Sequence, residues 1–184
     1  MRIVGGRLRG RALKSPGSDA IRPTSDRLRE TVFNILAHSY GNPVGGARVI
    51  DLFAGTGAMA IEALSRGADF ALLMDQSARA CAIVRANFAA LDIGGAARIL
   101  RGDASKIGAA PGGASFSLAF LDPPYGKGLV PPTLNALRDG CWLGNNALVV
   151  IEDRVGAEVA LPDGFVLRET RRFGVTQVVF ACFN

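Results

Sequence analysis

From Ala47 onward the sequence alternates between apolar runs of strand length and stretches with helical spacing. The runs are ARVIDL from residue 47, FALLMD from 70, ARIL from 97, FSLAFLD from 116 and ALVVIE from 147. Between the first and second stands AMAIEALSR, and between the second and third SARACAIVRANFAAL, both with a helical apolar period. Short apolar runs separated by amphipathic helices mark parallel strands covered on both faces, because each βαβ crossover lays a helix on the sheet. The end of the chain breaks this rhythm. FVLRETRR and VTQVVFACF follow one another across two residues, which predicts an antiparallel hairpin. The expected fold is α/β and Rossmann-like, a seven-stranded, mostly parallel sheet with a terminal antiparallel hairpin.

Asp51, Asp75, Asp103 and Asp122 each stand at or beside the end of an apolar run, separated by 24, 28 and 19 residues. The carboxyl ends of the strands form the ligand edge of an open α/β sheet, so the four carboxylates are expected to converge on one crevice. A single Asp there often only caps the next helix. Four of them, together with the motifs that follow, point to a site.

The first motif is VIDLFAGTGAMAIEAL, residues 49–64. Gly55 and Gly57 permit a tight turn with close approach of a ligand, and the helix starting near Ala58 aims its first amides there. Gly55-Thr56-Gly57-Ala58-Met59-Ala60 also fits the dinucleotide fingerprint G-x-G-x-x-G/A, with Asp75 near the expected acid position. The residues ahead of the turn separate the two cofactors better. Asp51-Leu52-Phe53-Ala54 intervenes between strand and glycine, and the Asp51 carboxylate would repel a pyrophosphate while suiting the cationic methionyl end of S-adenosylmethionine. Phe53 is grouped with this cofactor turn. Asp75 is placed to accept from both ribose hydroxyls, at about 1.5–3 kcal/mol for each charge-assisted bond. Asp103, in RGDA, is placed to accept from the adenine amino group.

The second motif is Asp122-Pro123-Pro124-Tyr125, at the end of the fourth run. An exocyclic base amine is a poor nucleophile because its lone pair is delocalised into the ring. Two acceptors can turn that lone pair toward a methyl group: the Asp122 carboxylate and a main-chain carbonyl, that of Pro123. The prolines stiffen the backbone and so fix that carbonyl. Tyr125 offers a face on which a flipped base stacks. A sulfonium already activates the methyl group, so no metal is required. Cys81, Cys141 and Cys182 match no metal-ligand spacing and read as buried apolar side chains, and the single histidine, His38, has no nucleophile-elbow sequence to serve.

The charge of the chain is unevenly placed. Residues 1–40 carry eight Arg and Lys against three Asp and Glu, whereas residues 41–184 carry thirteen of each. A basic arm on a neutral core is the pattern of a phosphate-backbone partner. Within the arm, residues 1–14 read as a short hairpin or extended segment and residues 15–23 as a loop. A helix is expected from Thr24 or Ser25, with an apolar stripe of Leu28, Val32, Ile35 and Leu36. The loop GNPVGG, residues 41–46, divides this arm (1–40) from the core (41–184). Arg7, Arg9, Arg11, Arg22 and Arg27 are the expected RNA contacts, although Arg22 can instead close over the cofactor. No apolar run approaches the ~18 residues of a membrane span, and the N-terminus has no apolar signal core. A cytoplasmic monomer without a membrane partner is expected.

With these motifs in hand the chain resembles a known family. FAGTG with DPPY is similar to amino-methyltransferases in general. RIVGGRLRGR, RPTSDRLRETVFNIL and LFAGTGAMAIEALSRGA resemble the RsmD-type methyltransferases, which act on a guanine N2 of bacterial 16S ribosomal RNA. The likeness runs from Met1 through FGVTQVVF, and generic methyltransferases lack the RPTSDRLRE segment. The resemblance implies a class I methyltransferase using S-adenosylmethionine on 16S ribosomal RNA within small-subunit particles. It carries Asp51, Gly55 and Gly57 onto the cofactor turn and Asp122, Pro123, Pro124 and Tyr125 onto the catalytic motif. Asp75 falls at the ribose position, where the family more usually has Glu. Met59 and Ala60 replace the common Leu and Gly, and Phe is also common in place of Tyr125.

Three rival readings use the same residues. A DNA adenine-N6 methyltransferase also carries DPPY, but usually with an added target-recognition domain for which this chain has no room. An NAD-dependent oxidoreductase explains the glycine turn and leaves DPPY unexplained. A non-catalytic RNA-binding protein on a decayed fold is opposed by the intact Asp122 and Tyr125.

Overall fold

The computed structural model describes residues 1–15, 25–112 and 115–184. Seven strands, β1 (Arg48–Leu52), β2 (Phe70–Asp75), β3 (Ala97–Arg101), β4 (Phe116–Leu121), β5 (Leu143–Arg154), β6 (Phe165–Phe173) and β7 (Thr176–Phe183), join in one sheet of order β3-β2-β1-β4-β5-β7-β6. Strands β1 to β5 run parallel, and β7 enters antiparallel between β5 and β6. The expected sheet with its terminal hairpin is the sheet observed.

Alternate residues of each strand feed two separate cores, as the pleat requires. Val49, Leu73, Phe120, Val150 and Phe180 pack on one face against α1 (Asp26–Ser39), α2 (Ala58–Ser65) and α3 (Ala78–Leu91). Ile50, Leu72, Leu121, Ile151 and Val179 pack on the other against α4 (Val130–Asp139) and Trp142. The helix α4, VPPTLNALRD, follows β4 in addition to the expected elements, with Val130, Thr133, Leu134 and Leu137 buried at helical spacing. Its prolines occupy the first turn, where the missing N–H would have had no helical partner in any case.

The helix α1 begins where a cap was expected. The Ser25 hydroxyl accepts from Leu28 N at 3.1 Å, whereas Thr24 lies outside the described residues. Of its stripe, Val32 and Leu36 are buried and Leu28 and Ile35 half-buried, with Phe33 buried beside them. The segment before α1 folds back on itself through an Arg2–Ala12 bridge and sinks Ile3, Leu8 and Leu13 into the α1–α3 core.

Charge is buried at that junction. Glu62 of α2 is fully buried and accepts from Val4 N at 2.9 Å, Arg29 Nε at 3.4 Å and Arg66 Nε at 2.8 Å. The equally buried Arg29 also donates to Asp26 and to the main-chain oxygen of Arg2. Each charge satisfies another, so removing one would strand the rest in a medium that cannot solvate them.

The reading of all three cysteines as buried needs correction. Cys81 and Cys182 are buried, but Cys141 is exposed in the turn between α4 and β5, with φ +56°. That turn needs a left-handed residue facing solvent, which composition does not reveal. Among the described residues no helix is long and apolar enough to cross a membrane.

Candidate active site

In the strand order, β1 lies between β2 and β4, and the chain moves outward from it in both directions. Crevices of α/β sheets open at such a reversal, beyond the carboxyl ends of the strands. Here a cavity of about 1200 Å³ occupies that place. The ends of β1 and β2 build one half of it, and those of β4, β5 and β7 the other.

In the first half the polypeptide turns sharply after β1. Phe53 adopts φ +67°, a conformation that costs a non-glycine residue about 1–2 kcal/mol. It is held there because Ala54 N donates to Met74 O at 3.0 Å and Ala54 O accepts from Gly57 N at 2.6 Å. The Phe53 side chain is half-buried and lines the cavity. Gly57 has φ +77°, and a Cβ there would stand 3.1 Å from Leu73 Cδ2 and 3.3 Å from Val84 Cγ1. Glycine is therefore needed both for the backbone and for the close seating of α2 on β2 and α3.

Two carboxylates face this turn. Asp75, at the end of β2, accepts from Gly55 N at 2.9 Å through one oxygen and from Ser77 N at 2.8 Å through the other. These bonds fix the plane of its carboxylate at the cavity wall. Asp51 is buried and accepts from Ala60 N, in the first turn of α2, at 3.1 Å. Burial pushes its carboxyl up to about 7, with the neighbouring Asp75 charge adding to the rise and the Ala60 amide opposing it. A buried acid next to a second acid favours a cationic ligand and disfavours a diphosphate.

The second half is built from side chains. Asp122 follows β4 and lines the cavity with Pro123, Pro124 and Tyr125. Pro123 is buried and Pro124 exposed. The Tyr125 hydroxyl donates to Glu152 Oε1 at 3.2 Å and lies 3.3 Å from Thr176 Oγ1. Burial, together with the Glu152 and Asp122 charges, pushes the phenol up to about 12, against the Thr176 contact, so it remains a donor at every physiological pH. Glu152 sits near the end of β5 and Thr176 opens β7, and both line the cavity.

The structure thus brings Asp51, Phe53, Gly55, Asp75, Asp122, Pro123, Pro124 and Tyr125 to one cavity wall. Gly57 lies behind it, in the turn. Asp103 is outside the lining and caps a short 3₁₀ turn, accepting from Ser105 N at 3.0 Å and Ser105 Oγ at 2.7 Å, bonds that hold its carboxyl below the usual range. Arg27, in α1, stands at the cavity wall. Arg7 and Arg9 are exposed, Arg11 donates to Ala90 O at 3.0 Å, and Arg22 lies outside the described residues.

Glu152 and Thr176 were not expected. A signal existed for Glu152, since ALVVIE ends on an acid as FALLMD and FSLAFLD do. Thr176 has none, because only the hairpin's place in the sheet brings it near Tyr125. The neutral total of residues 41–184 also hides the exposed Arg168, Arg171 and Arg172 of the edge strand β6.

Comparison with known proteins agrees with this architecture. Residues 1–182 match the family described as Conserved hypothetical protein 95. The chain is 40% identical over 155 residues to ribosomal RNA small subunit methyltransferase D of Escherichia coli K12, covering 84% of this chain and 75% of that protein. To YlbH of Bacillus subtilis it is 34% identical over 184 residues, with 97% and 96% covered. The solved structure of yhhF from Escherichia coli superposes with a TM-score of 0.85 at 34% identity, covering 100% of this chain and 97% of that one. With the sheet, the glycine turn and the Asp122–Tyr125 segment all in place, the chain belongs to the RsmD-type rRNA methyltransferase family.

Proposed function

We propose that this protein transfers a methyl group from S-adenosylmethionine to the exocyclic N2 amine of a guanine in 16S ribosomal RNA. It acts as a cytoplasmic monomer on small-subunit particles. The observation that carries the reading is the division of one cavity into two unlike halves. A pair of carboxylates beside a glycine turn faces a half that holds Asp122, Pro123 and an aromatic ring.

The donor set fits the cofactor. Asp75 has the fixed carboxylate that a ribose diol requires, and Asp51 is an acid whose ionisation a cation would favour. When bound there, S-adenosylmethionine supplies a methyl group already activated by its sulfonium. The chain's own residues do the rest. Asp122 and the Pro123 carbonyl accept the two N–H bonds of the amine and turn its lone pair toward the cofactor half. Tyr125 stacks on the base. The nitrogen gains the methyl group and loses one proton.

The basic arm, residues 1–40, holds the RNA. Arg7 and Arg9 are exposed and Arg27 stands at the cavity wall, which supports their contact with a phosphate backbone. Arg11 and Arg22 belong to the same basic arm of the sequence. Contacts made by such an arm read folded shape, so assembled particles are better substrates than short oligonucleotides.

Tritium transfer from labelled cofactor to small-subunit particles, free RNA and DNA tests the reading. Label in N2-methylguanine of particle RNA is expected, and label in DNA or in adenine would overturn it. Replacing Arg7, Arg9 and Arg11 together should flatten the salt dependence of RNA binding by about 0.7–0.9 log units per lost contact, with cofactor affinity unchanged. An unchanged slope would assign the arm a purely structural role.

A further inference from the structure

Glu152 lies in the base half of the cavity together with Asp122 and Tyr125, and the methyl transfer just described gives it no task. We propose that Glu152 is the residue that selects guanine, by accepting the proton on ring nitrogen N1 while Asp122 holds the neighbouring N2 amine. This rests on the guanine-N2 reading above and adds to it a residue that determines specificity.

The chemistry of the two purines carries the argument. Guanine presents adjacent donors, the N1–H and the N2 amine, along one edge. Adenine presents an acceptor at N1 beside its N6 amine. A single carboxylate such as Asp122 can hold an amine of either base. A second carboxylate next to the first accepts from guanine N1–H and repels the lone pair of adenine N1. Two acids in one half of a cavity are therefore a guanine reader, and a site for adenine would carry a donor at that place.

The placement of Glu152 suits this work. It stands near the end of β5, in register with Val178 of β7, on the strand next to β4, which Asp122 follows. It is half-buried and lines the same cavity. The Tyr125 hydroxyl donates to its Oε1 at 3.2 Å, and that hydroxyl is itself 3.3 Å from Thr176 Oγ1, which orients the carboxylate relative to the stacking ring. A carboxylate offers about four acceptor positions, so accepting from Tyr125 is compatible with accepting from a base N–H as well. The ring that would stack on the base and the acid that would read its edge are thus joined by one hydrogen bond. A site built to bond a substrate N–H rejects an analogue lacking it by far more than an apolar pocket rejects a change of shape, because a buried acceptor is left unpaired.

2-Aminopurine separates the two acids. It keeps the exocyclic N2 amine but has an unprotonated N1. After the methylated position has been mapped with wild-type enzyme, particles are reconstituted with a transcript carrying guanine or 2-aminopurine at that position. Wild-type enzyme should prefer guanine by about 10²-fold or more in kcat/KM. Glu152→Gln, whose amide can donate to the unprotonated N1, should reduce that preference at least tenfold. It should do so mainly by gaining on 2-aminopurine, an outcome that simple loss of structure cannot produce. Equal rates of wild-type enzyme on the two bases would overturn the proposal without recourse to any variant. So would a Glu152→Gln enzyme that still makes N2-methylguanine with the wild-type preference, and in that case the guanine-N2 reading would stand. A wild-type product other than N2-methylguanine would end both.

Discussion

At the β1–β2 end of the cavity each carboxylate is gripped by main-chain amides, Asp75 by Gly55 and Ser77 and Asp51 by Ala60. At the β4–β5–β7 end the polar side chains grip one another, Tyr125 to Glu152 and Thr176. The first arrangement is local, since its partners lie 2 to 20 residues apart. The second joins residues 27 and 51 positions apart, from the turn after β4 and from the strands β5 and β7. A half fixed by its own backbone keeps its shape when one side chain changes. A half fixed by side chains is more easily retuned, which suits the part of an enzyme that must recognise a particular base.

The largest test of this contrast is Asp122→Ala. If the two halves act independently, methyl transfer should fall by about 10²–10³-fold, the scale for removing one preorganised contact to the reacting group. Cofactor affinity measured by calorimetry should hardly change. A parallel loss of cofactor binding would break the division into halves.

The mirror experiment is Asp75→Ala. Losing the charge-assisted bonds to a ribose diol should weaken S-adenosylmethionine by about 2–3 kcal/mol, roughly 30–150-fold. Calorimetry measures this directly. With the cofactor raised to saturation, kcat should recover to near the wild-type value, because the base half is untouched. Tight binding of NAD in place of S-adenosylmethionine would remove Asp75 from the assigned role.

The same contrast governs what could be read from the sequence. The cofactor half was legible because a backbone turn demands specific residues at fixed spacing: a left-handed Gly57 under Leu73 and Val84, with an acid at each adjoining strand end. Asp122–Tyr125 was legible for the same reason, as one continuous segment. Asp103 shows the limit of the rule. An acid after a strand either faces the ligand or caps the next turn, and Asp103 bonds to Ser105 of its own turn. Glu152 and Thr176 came together only through the insertion of β7 between β5 and β6, and hydrophobic spacing does not encode strand order. The exposed Cys141 depended likewise on turn geometry rather than on periodicity.

Asp51 gives the cofactor half a pH signature. Its carboxyl is raised from 3.8 to about 7 in the folded protein, so the native state holds this proton more tightly than the unfolded chain does. Asp51 therefore costs the free protein nothing at low pH, and its penalty on stability grows as pH rises from about 4 to about 7. A cationic ligand shifts the balance toward the carboxylate. Cofactor affinity should rise between pH 6 and 8, by about five-fold if binding lowers the carboxyl by one unit, and binding below pH 7 should release protons. Calorimetry in two buffers of different ionisation enthalpy reports that release. Asp51→Asn should abolish it, and a pH-independent affinity in wild-type enzyme would show that Asp51 does not sense the cofactor.

The smallest expected effect belongs to Tyr125→Phe, and it separates the two roles of that residue. The variant keeps the aromatic face and removes only the hydroxyl that ties Tyr125 to Glu152 and Thr176. If stacking is the main contribution of Tyr125, turnover on guanine should fall only about five-fold, the value of one hydrogen bond near 1 kcal/mol. The loss should lie in kcat rather than in cofactor affinity, since no bond of the first half is touched. The hydroxyl nonetheless orients Glu152, so the variant should also lower the preference for guanine over 2-aminopurine, though less than Glu152→Gln does. Tyr125→Ala, which removes the ring as well, should cost a further 1–3 kcal/mol or so of stacking. Should Tyr125→Phe instead be as inactive as Asp122→Ala, the hydroxyl would belong to the reacting groups. The base half would then be a chemical apparatus as rigidly determined as the glycine turn opposite.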